Sequence, residues 1–225
     1  FAHIFLVLIS IVWLFPFACI VLQSFRSWCN EYGGMTSYII PKTFSLDNYK
    51  FLLVEDGDFL RWYGNTLIIA AFVTVLQTII VLCVSFALSR MRFKGRELLM
   101  RFWLILGMFP GFMSMSAVYF LLKILLPNNY QSLASLIIVY SAGAALSYYV
   151  AKGFFDTVPK ALDEAARIDG ASRFRTFYKV ILPLSKPIII YTILISFIAP
   201  WCDYIFVSFI MSGVPDVGMY TVSLG

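Results

Sequence analysis

Five long apolar runs constrain the fold of this chain more than any other feature of its sequence. Each run is close to the roughly 20 residues that a helix needs to cross about 30 Å of hydrocarbon. Hydrophobic residues make up 61% of the 225 residues and charged residues 13%, a composition that argues against a soluble fold. The sequence therefore predicts an all-α, polytopic helical membrane protein. Its predicted spans lie near residues 4–25, 65–89, 101–125, 131–152 and 187–211.

The positive charges indicate which side of the membrane each loop occupies. Most of the 17 Lys and Arg residues lie in two segments that are separated by two predicted spans, so both segments face the same side. The positive-inside rule makes that side cytoplasmic. We therefore expect a cytoplasmic N-terminus, an external segment over 26–64 and a cytoplasmic loop over 153–186, and no nucleic-acid partner. The two basic segments contain Arg90, Arg92, Lys94, Arg96 and Arg101, and Lys152, Lys160, Arg167, Arg173, Arg175, Lys179 and Lys186.

The sequence contains no pattern typical of catalysis or cofactor binding. Its single histidine, His3, cannot pair with another histidine, and its four cysteines form no Cys-x-x-Cys motif. The phosphate-binding pattern Gly-x-x-x-x-Gly-Lys-Ser/Thr is also absent. We therefore expect a non-enzymatic protein with no metal and no cofactor of its own, which receives energy from a partner.

Three predicted spans carry residues that interrupt a helix or allow close packing. Pro110-Gly111 would break the third span in its middle, and Pro200 would interrupt the fifth. Small residues over 141–145 let helix backbones approach closely, so the fourth span is expected to provide a packing face. Ser114 and Ser116, after the predicted break, are candidate cavity residues, although helix–helix hydrogen bonds explain them equally well.

A short charged helix is predicted between the fourth and fifth spans. Asp156-Thr157-Val158-Pro159 is typical of a helix start, and Gly170 is suited to a left-handed helix end. The helix would present Leu162, Ala165, Ala166 and Ile168 on one apolar, partly small surface, with Glu164 and Arg167 beside it. A second helix, near 172–179, would precede Leu182-Pro183. The alternative interpretation is an amphipathic helix lying on the membrane surface.

The full spacing of this loop resembles a known family pattern. Glu164-Ala165-Ala166, then Gly170, then Leu182-Pro183 is similar to the loop through which membrane subunits of ATP-binding-cassette (ABC) importers contact their ATPases. Four further stretches resemble the sugar importers of this family, and the subgroup they most resemble is the smaller membrane subunit of maltose and maltodextrin importers. In Trp201-Cys202-Asp203-Tyr204, one of these stretches, Cys202 departs from the Asn that is usual at that position. The stretches are Asn65-Thr66-Leu67, residues 87–96, residues 41–49 and Trp201-Cys202-Asp203-Tyr204.

The resemblance implies a type I ABC importer transmembrane domain in the cytoplasmic membrane of a bacterium or archaeon. Residues 1–64 would form the first helix and an external interfacial segment, and residues 65–225 the core domain, whose sixth span is expected to be missing here. The implied partners are a second homologous permease subunit, two ATPase subunits that bind ATP and Mg, an extracytoplasmic sugar-binding protein and the lipid bilayer. The helix over 159–170 would couple to the ATPase. The implied coupling residues are Leu162, Glu164, Ala165, Ala166, Ile168, Asp169, Gly170, Leu182 and Pro183.

The substrate pathway is assigned to residues in the third and fifth spans. An acidic group inside a membrane is costly and indicates a functional site, and aromatic rings stack on sugars. One alternative is an ion-coupled secondary transporter or channel that uses Asp203, and another is an ABC importer of glycerol-phosphate or another small solute. The candidate pathway residues are Ser114, Ser116, Tyr119, Trp201, Asp203 and Tyr204.

Overall fold

The computed structural model describes residues 2–27, 41, 43–55, 57–108, 111–211, 214 and 220–224. Within them the chain is helical, with one isolated β-bridge between Arg26 and Phe44 and no strand. The prediction of an all-α membrane protein is thereby confirmed. Residues 28–40 of the predicted external segment lie outside the described residues, as does Pro110. The chain divides into two compact units, Phe1–Arg61 and Trp62–Gly225.

The described part of the first unit contains one long apolar helix and a short helical segment. Helix α1 spans Ala2–Ser24 and exposes its apolar side chains, as expected for a helix that faces lipid. Helix α2, Asp47–Lys50, continues into a π-helical turn, Phe51–Glu55. The Asn48 side chain fixes the chain reversal by donating to the carbonyl oxygens of Ser24 and Arg26, at 3.0 and 3.1 Å.

Nine further helices are present among the described residues from Phe59 onwards. The longest is α3 (Phe59–Arg90), whose 32 residues extend about 48 Å and so exceed the hydrocarbon thickness. The others are α4 (Arg96–Gly107), α5 (Gly111–Leu125), α6 (Leu133–Ala142), α7 (Ala145–Thr157), α8 (Ala161–Ile168), α9 (Arg173–Leu184), α10 (Lys186–Cys202) and α11 (Tyr204–Met211).

The inward face of α3 is more polar than its outward face. Thr66, Gln77 and Ser85 are buried, whereas Phe72 and Ile79 are exposed. This distribution is typical of a membrane helix, because polar groups find partners among helices and not in lipid. Two apolar cores pack along α3, one around Ile69 and Val73 in its first half and one around Val81 and Leu82 in its second half. The first also contains Leu136, Phe206, Val207 and Ile210, and the second Tyr148, Phe155, Phe177, Ile181 and Ile188.

The predicted spans are confirmed in part. Two of the described helices, α1 and α3, are long and apolar enough to cross a membrane, and two bent pairs, α6 with α7 and α9 with α10, raise the number to four. The third predicted span is not a single helix of that length, since α4 ends at Gly107 and α5 begins at Gly111. The second span begins at Phe59, earlier than the predicted 65, because its first turns pack inside the protein through Trp62.

The fourth predicted span bends where the sequence predicted only close packing, and the fifth is interrupted at a different residue from the predicted one. The small residues of the fourth span lie at a 40° bend between α6 and α7, where a Cβ on Gly143 would meet the Val139 carbonyl oxygen at 3.2 Å. The fifth span is interrupted at Asp203, and Pro200 remains inside α10. The interruption lies at Asp203 because this residue adopts an extended backbone and its carboxylate accepts from the Phe206 amide at 3.0 Å, which starts α11.

Candidate functional site

Helix α8 begins differently from the sequence prediction. Asp156 and Thr157 do not cap α8, because they form the last turn of α7, where the Thr157 hydroxyl donates to the Phe154 carbonyl oxygen. Val158 is extended, as expected for a residue before proline, and separates the two helices. The residue that flanks α8 is Lys160, which provides no side-chain cap.

The end of α8 agrees with the prediction. Gly170 has a φ of +77°, in the left-handed region that favours glycine. The Ala171 amide donates to the Ala166 carbonyl oxygen at 2.9 Å, and the Gly170 amide donates to the Arg167 carbonyl oxygen at 3.0 Å. These two bonds form a Schellman motif and give partners to carbonyl groups that a helix end otherwise leaves free.

The predicted apolar surface of α8 is divided between two faces. Ile168 is 87% exposed and lies on the outward face with Glu164 and Ala165, which are also exposed. Ala166 is buried against the protein, and Leu162 is at 37% exposure. The prediction of a single surface was wrong, because residues 166 and 168 are about 200° apart on a helix. Asp169 and Gly170 are exposed at the C-terminal end.

Arg90, at the end of α3, contacts both the end of α7 and the first turn of α8. Its guanidinium group is buried, with 6% side-chain exposure. Nη2 donates to the carbonyl oxygens of Phe155 and Val158 at 2.9 and 2.7 Å, and Nη1 lies 3.2 Å from a carboxylate oxygen of Asp163. The sequence indicated Arg90 as part of a basic segment and of a stretch that resembles the sugar importers, without a role in this contact, and it did not single out Asp163. The available signal was a basic residue directly after a span whose last turns contain Ser85 and Ser89 on one face.

Two serines continue the contact between α3 and α7. The Ser85 hydroxyl donates to the Tyr148 carbonyl oxygen at 3.0 Å, and the Ser89 hydroxyl donates to the Asp156 carboxylate at 2.6 Å. The same carboxylate accepts from Lys152. Each of these polar groups lies near the end of α3 and is satisfied by a partner on α7, so the two helices are joined by hydrogen bonds as well as by packing.

Leu182 and Pro183 lie at the end of α9, next to a sharp bend. Phe177 and Ile181, in a π-helical turn of α9, are buried in the core near the end of α3, and Phe86 packs on Phe177 with ring centroids 4.6 Å apart. Helix α10 then departs at 84° from α9. Ser185 forms the corner, fully buried, and its carbonyl oxygen accepts from the amides of Ile188 and Ile189. Pro183 and Pro187 lie on either side of this corner.

A cavity of about 330 Å³ lies between the end of α3 and α8. Its lining contains more cations than carboxylates, so its field favours an anionic group. The cationic residues in the lining are Arg90, Arg92, Arg96, Lys160, Arg167 and Arg173, and the acidic ones are Asp163 and Glu164.

The predicted pathway residues belong to several separate sets of contacts. Tyr119 packs on Phe209 of α11 and on Tyr130, with ring centroids 5.2 and 5.6 Å apart. Trp201 packs on Tyr63 and Phe197. Ser114 and Tyr204 are exposed, and Ser116 is partly buried.

Asp203 has defined partners on three elements. Besides capping α11, its carboxylate accepts from the Tyr140 hydroxyl of α6 at 3.1 Å. Its carbonyl oxygen accepts from the Ser223 hydroxyl at 3.2 Å. Each oxygen of the Asp203 carboxylate therefore has a hydrogen-bond donor within the protein.

Asn65 and Thr66 position the C-terminal turn of the described chain. The Asn65 amide donates to the Tyr220 carbonyl oxygen, and the Val222 amide donates to the Thr66 hydroxyl, both at 3.0 Å. The resemblance selected this pair without a role. The structure assigns both residues to the contact between α3 and residues 220–224.

Comparison with known proteins identifies the family. Residues 79–224 match the model of the binding-protein-dependent transport system inner membrane component family. The maltodextrin transport system permease protein of Bacillus subtilis is 36% identical over 93% of this chain and 73% of its own length. The maltose/maltodextrin transport system permease protein of Escherichia coli K12 is 31% identical over 99% of this chain and 78% of its own length.

A solved structure shows the same fold. A bacterial ABC transporter involved in import of the acidic polysaccharide alginate superposes with a TM-score of 0.69, over 89% of this chain and 69% of that one, at 24% identity. The resemblance drawn from the loop pattern is thereby confirmed. The chain belongs to the family of binding-protein-dependent transport system inner membrane components.

Proposed function

We propose that this chain is the membrane-spanning permease subunit of an ATP-driven importer that carries a carbohydrate of the maltodextrin type into the cell. The relatives named above are maltodextrin and maltose permeases and cover most of this chain. A galactooligosaccharides permease of Bacillus subtilis is 33% identical, which supports an oligosaccharide and leaves its sugar units open. A second permease subunit and an extracytoplasmic sugar-binding protein complete the proposed importer.

The observation that carries the proposal is the exposed face of α8. Ile168 is 87% exposed, and transfer of its apolar side chain from water into a partner's groove would be favourable. It lies beside exposed Glu164 on a helix about 12 Å long. A helix of this length cannot span a membrane. It is suited to insertion into a groove of a soluble partner, which we infer to be an ATPase subunit that binds ATP and Mg. The α8 side is cytoplasmic in this proposal.

The experiment is sugar uptake by the complete importer in reconstituted vesicles, with ATP present or absent, and retention of the ATPase on the purified membrane subunits. Ile168→Ser is expected to weaken ATPase retention and uptake together, because the side chain is exposed and its loss leaves the fold intact. Leu98→Ser is the matched control, since Leu98 is 73% exposed but lies on α4. Uptake that is independent of ATP, or driven by an ion gradient, would contradict the proposal.

A further inference from the structure

Arg90 joins three helices through a single side chain. It is the last residue of α3, its carbonyl partners Phe155 and Val158 lie at the end of α7, and Asp163 lies in the first turn of α8. We propose that Arg90 is a positioning residue that holds α8 and the cytoplasmic ends of α3 and α7 as one rigid body, so that a displacement of α8 moves α3. This inference rests on the proposed coupling of α8 to an ATPase.

The geometry requires arginine and not merely a positive charge. Nη2 donates to two carbonyl groups while Nη1 lies against the Asp163 carboxylate. A planar guanidinium presents donors in several fixed directions, whereas a lysine ammonium is a compact group on a flexible stem. Lysine at position 90 would retain the charge but could not keep all three contacts. The side chain is 6% exposed, so water replaces the lost partners poorly.

Helix α8 has little else to hold it in place. Ala166 is its one buried side chain, and all eight residues of the helix are described. Asp163, at 17% side-chain exposure, therefore provides the main polar attachment of α8 to α3. The other route from α8 to the core runs along the backbone through α9, whose Phe177 and Ile181 are buried. If that route alone transmitted motion, the Arg90–Asp163 pair would be dispensable for coupling.

The first measurement tests rigidity without relying on transport. Spin labels at exposed Lys94 and Ala161, in a full importer whose native cysteines are replaced, report the distance from the turn after α3 to the start of α8. We expect one narrow distribution, the same without nucleotide and with ATP trapped. In Arg90→Lys and in Asp163→Asn we expect a second, broader component, with about a tenfold increase in the population of detached α8 for the loss of one largely buried ion pair.

The second measurement is the number of sugar molecules transported per ATP hydrolysed. Arg90→Lys and Asp163→Asn are expected to lower this ratio several-fold while the ATPase stays bound. The double variant is expected to be no worse than the more affected single variant, because both changes disrupt the same contact between Arg90 and Asp163. Arg101→Lys is the matched control, since it makes the same change at an exposed arginine of α4 outside the cavity lining and should leave both readouts unchanged.

The outcomes separate this inference from the proposed function. If the unmodified importer takes up sugar with ATP, and folded Arg90→Lys and Asp163→Asn keep the narrow distribution and the full ratio, the positioning role is refuted and the proposed function stands. If the unmodified importer shows no ATP-dependent uptake, the proposed function itself fails. Should Arg90→Lys not fold, the isosteric Asp163→Asn variant decides, because it retains the arginine and its two carbonyl partners.

Discussion

Replacing Gly170 by alanine tests how strongly the end of α8 depends on one backbone conformation. Gly170 has a φ of +77°, and its amide donates to the Arg167 carbonyl oxygen in the Schellman motif. A Cβ added there meets no heavy atom within 4 Å, so a steric clash with neighbours does not contribute. The substitution therefore isolates the cost of placing a side chain in the left-handed region.

The magnitude follows from two opposing contributions. A residue with a Cβ costs about 1–2 kcal/mol in the left-handed region. Alanine also restricts the unfolded chain, which offsets about 0.4–1 kcal/mol. The net destabilisation of the loop is about 1 kcal/mol, or about a fivefold increase in its open population. Asparagine, which visits this region more readily, is expected to fall between glycine and alanine.

Gly153→Ala is the matched control with the opposite sign. Gly153 lies inside α7, and a Cβ there also meets nothing within 4 Å. Alanine should stabilise that helix by up to about 1 kcal/mol. Hydrogen exchange measured on the complex in nanodiscs should therefore become about fivefold faster over 161–171 in Gly170→Ala and slower over 145–157 in Gly153→Ala. Unchanged exchange over 161–171 in Gly170→Ala would refute the reasoning.

Three further predictions follow from individual contacts. Asp203→Asn should keep ATP-driven uptake, because the asparagine side-chain oxygen caps helices well and its amide nitrogen can donate to the Tyr140 hydroxyl oxygen, whereas Asp203→Ala should lower stability by about 1–3 kcal/mol, measured as thermal unfolding of the complex. Loss of uptake in Asp203→Asn alone would favour the ion-coupled alternative. Gly143→Ala should destabilise the α6–α7 bend by about 1 kcal/mol, since the new Cβ would lie 3.2 Å from a carbonyl oxygen, and an unchanged melting temperature would show that the bend can relax. Asn65→Ala should speed hydrogen exchange over 220–224 about fivefold through the loss of one hydrogen bond of about 1 kcal/mol, with Asn48→Ala, in the other unit, as the variant that leaves this segment unaffected.

The features that the sequence predicted correctly depend on neighbouring residues. Long apolar runs specify membrane helices because each helix satisfies its own backbone hydrogen bonds in lipid. Gly170 was identifiable because the left-handed helix end is a local requirement of the backbone. The loop pattern indicated the family for the same reason, since its residues are separated by fixed, short spacings.

The features that the sequence missed depend on residues that are distant along the chain. Asp156 looked like a cap for α8, but its carboxylate is engaged by Ser89, 67 residues earlier. Pro200 looked like the interruption of the fifth span, but the chain breaks at Asp203, whose partner Tyr140 is 63 residues away. In both cases a local signal was present, and the side chain concerned also makes a tertiary hydrogen bond that no local pattern specifies.

The sequence by itself determined the class of this protein, the positions of most of its helices, the end of α8 and the family pattern, because each of these follows from local composition and spacing. The tertiary structure alone decided which faces of α8 are outward and inward, that Asp203 is a helix cap, and that Arg90 binds α7 and α8. The physical reason is that a buried charge must find its partners wherever the fold provides them. For Arg90 those partners include carbonyl groups 65 and 68 residues away, a separation that no local pattern encodes.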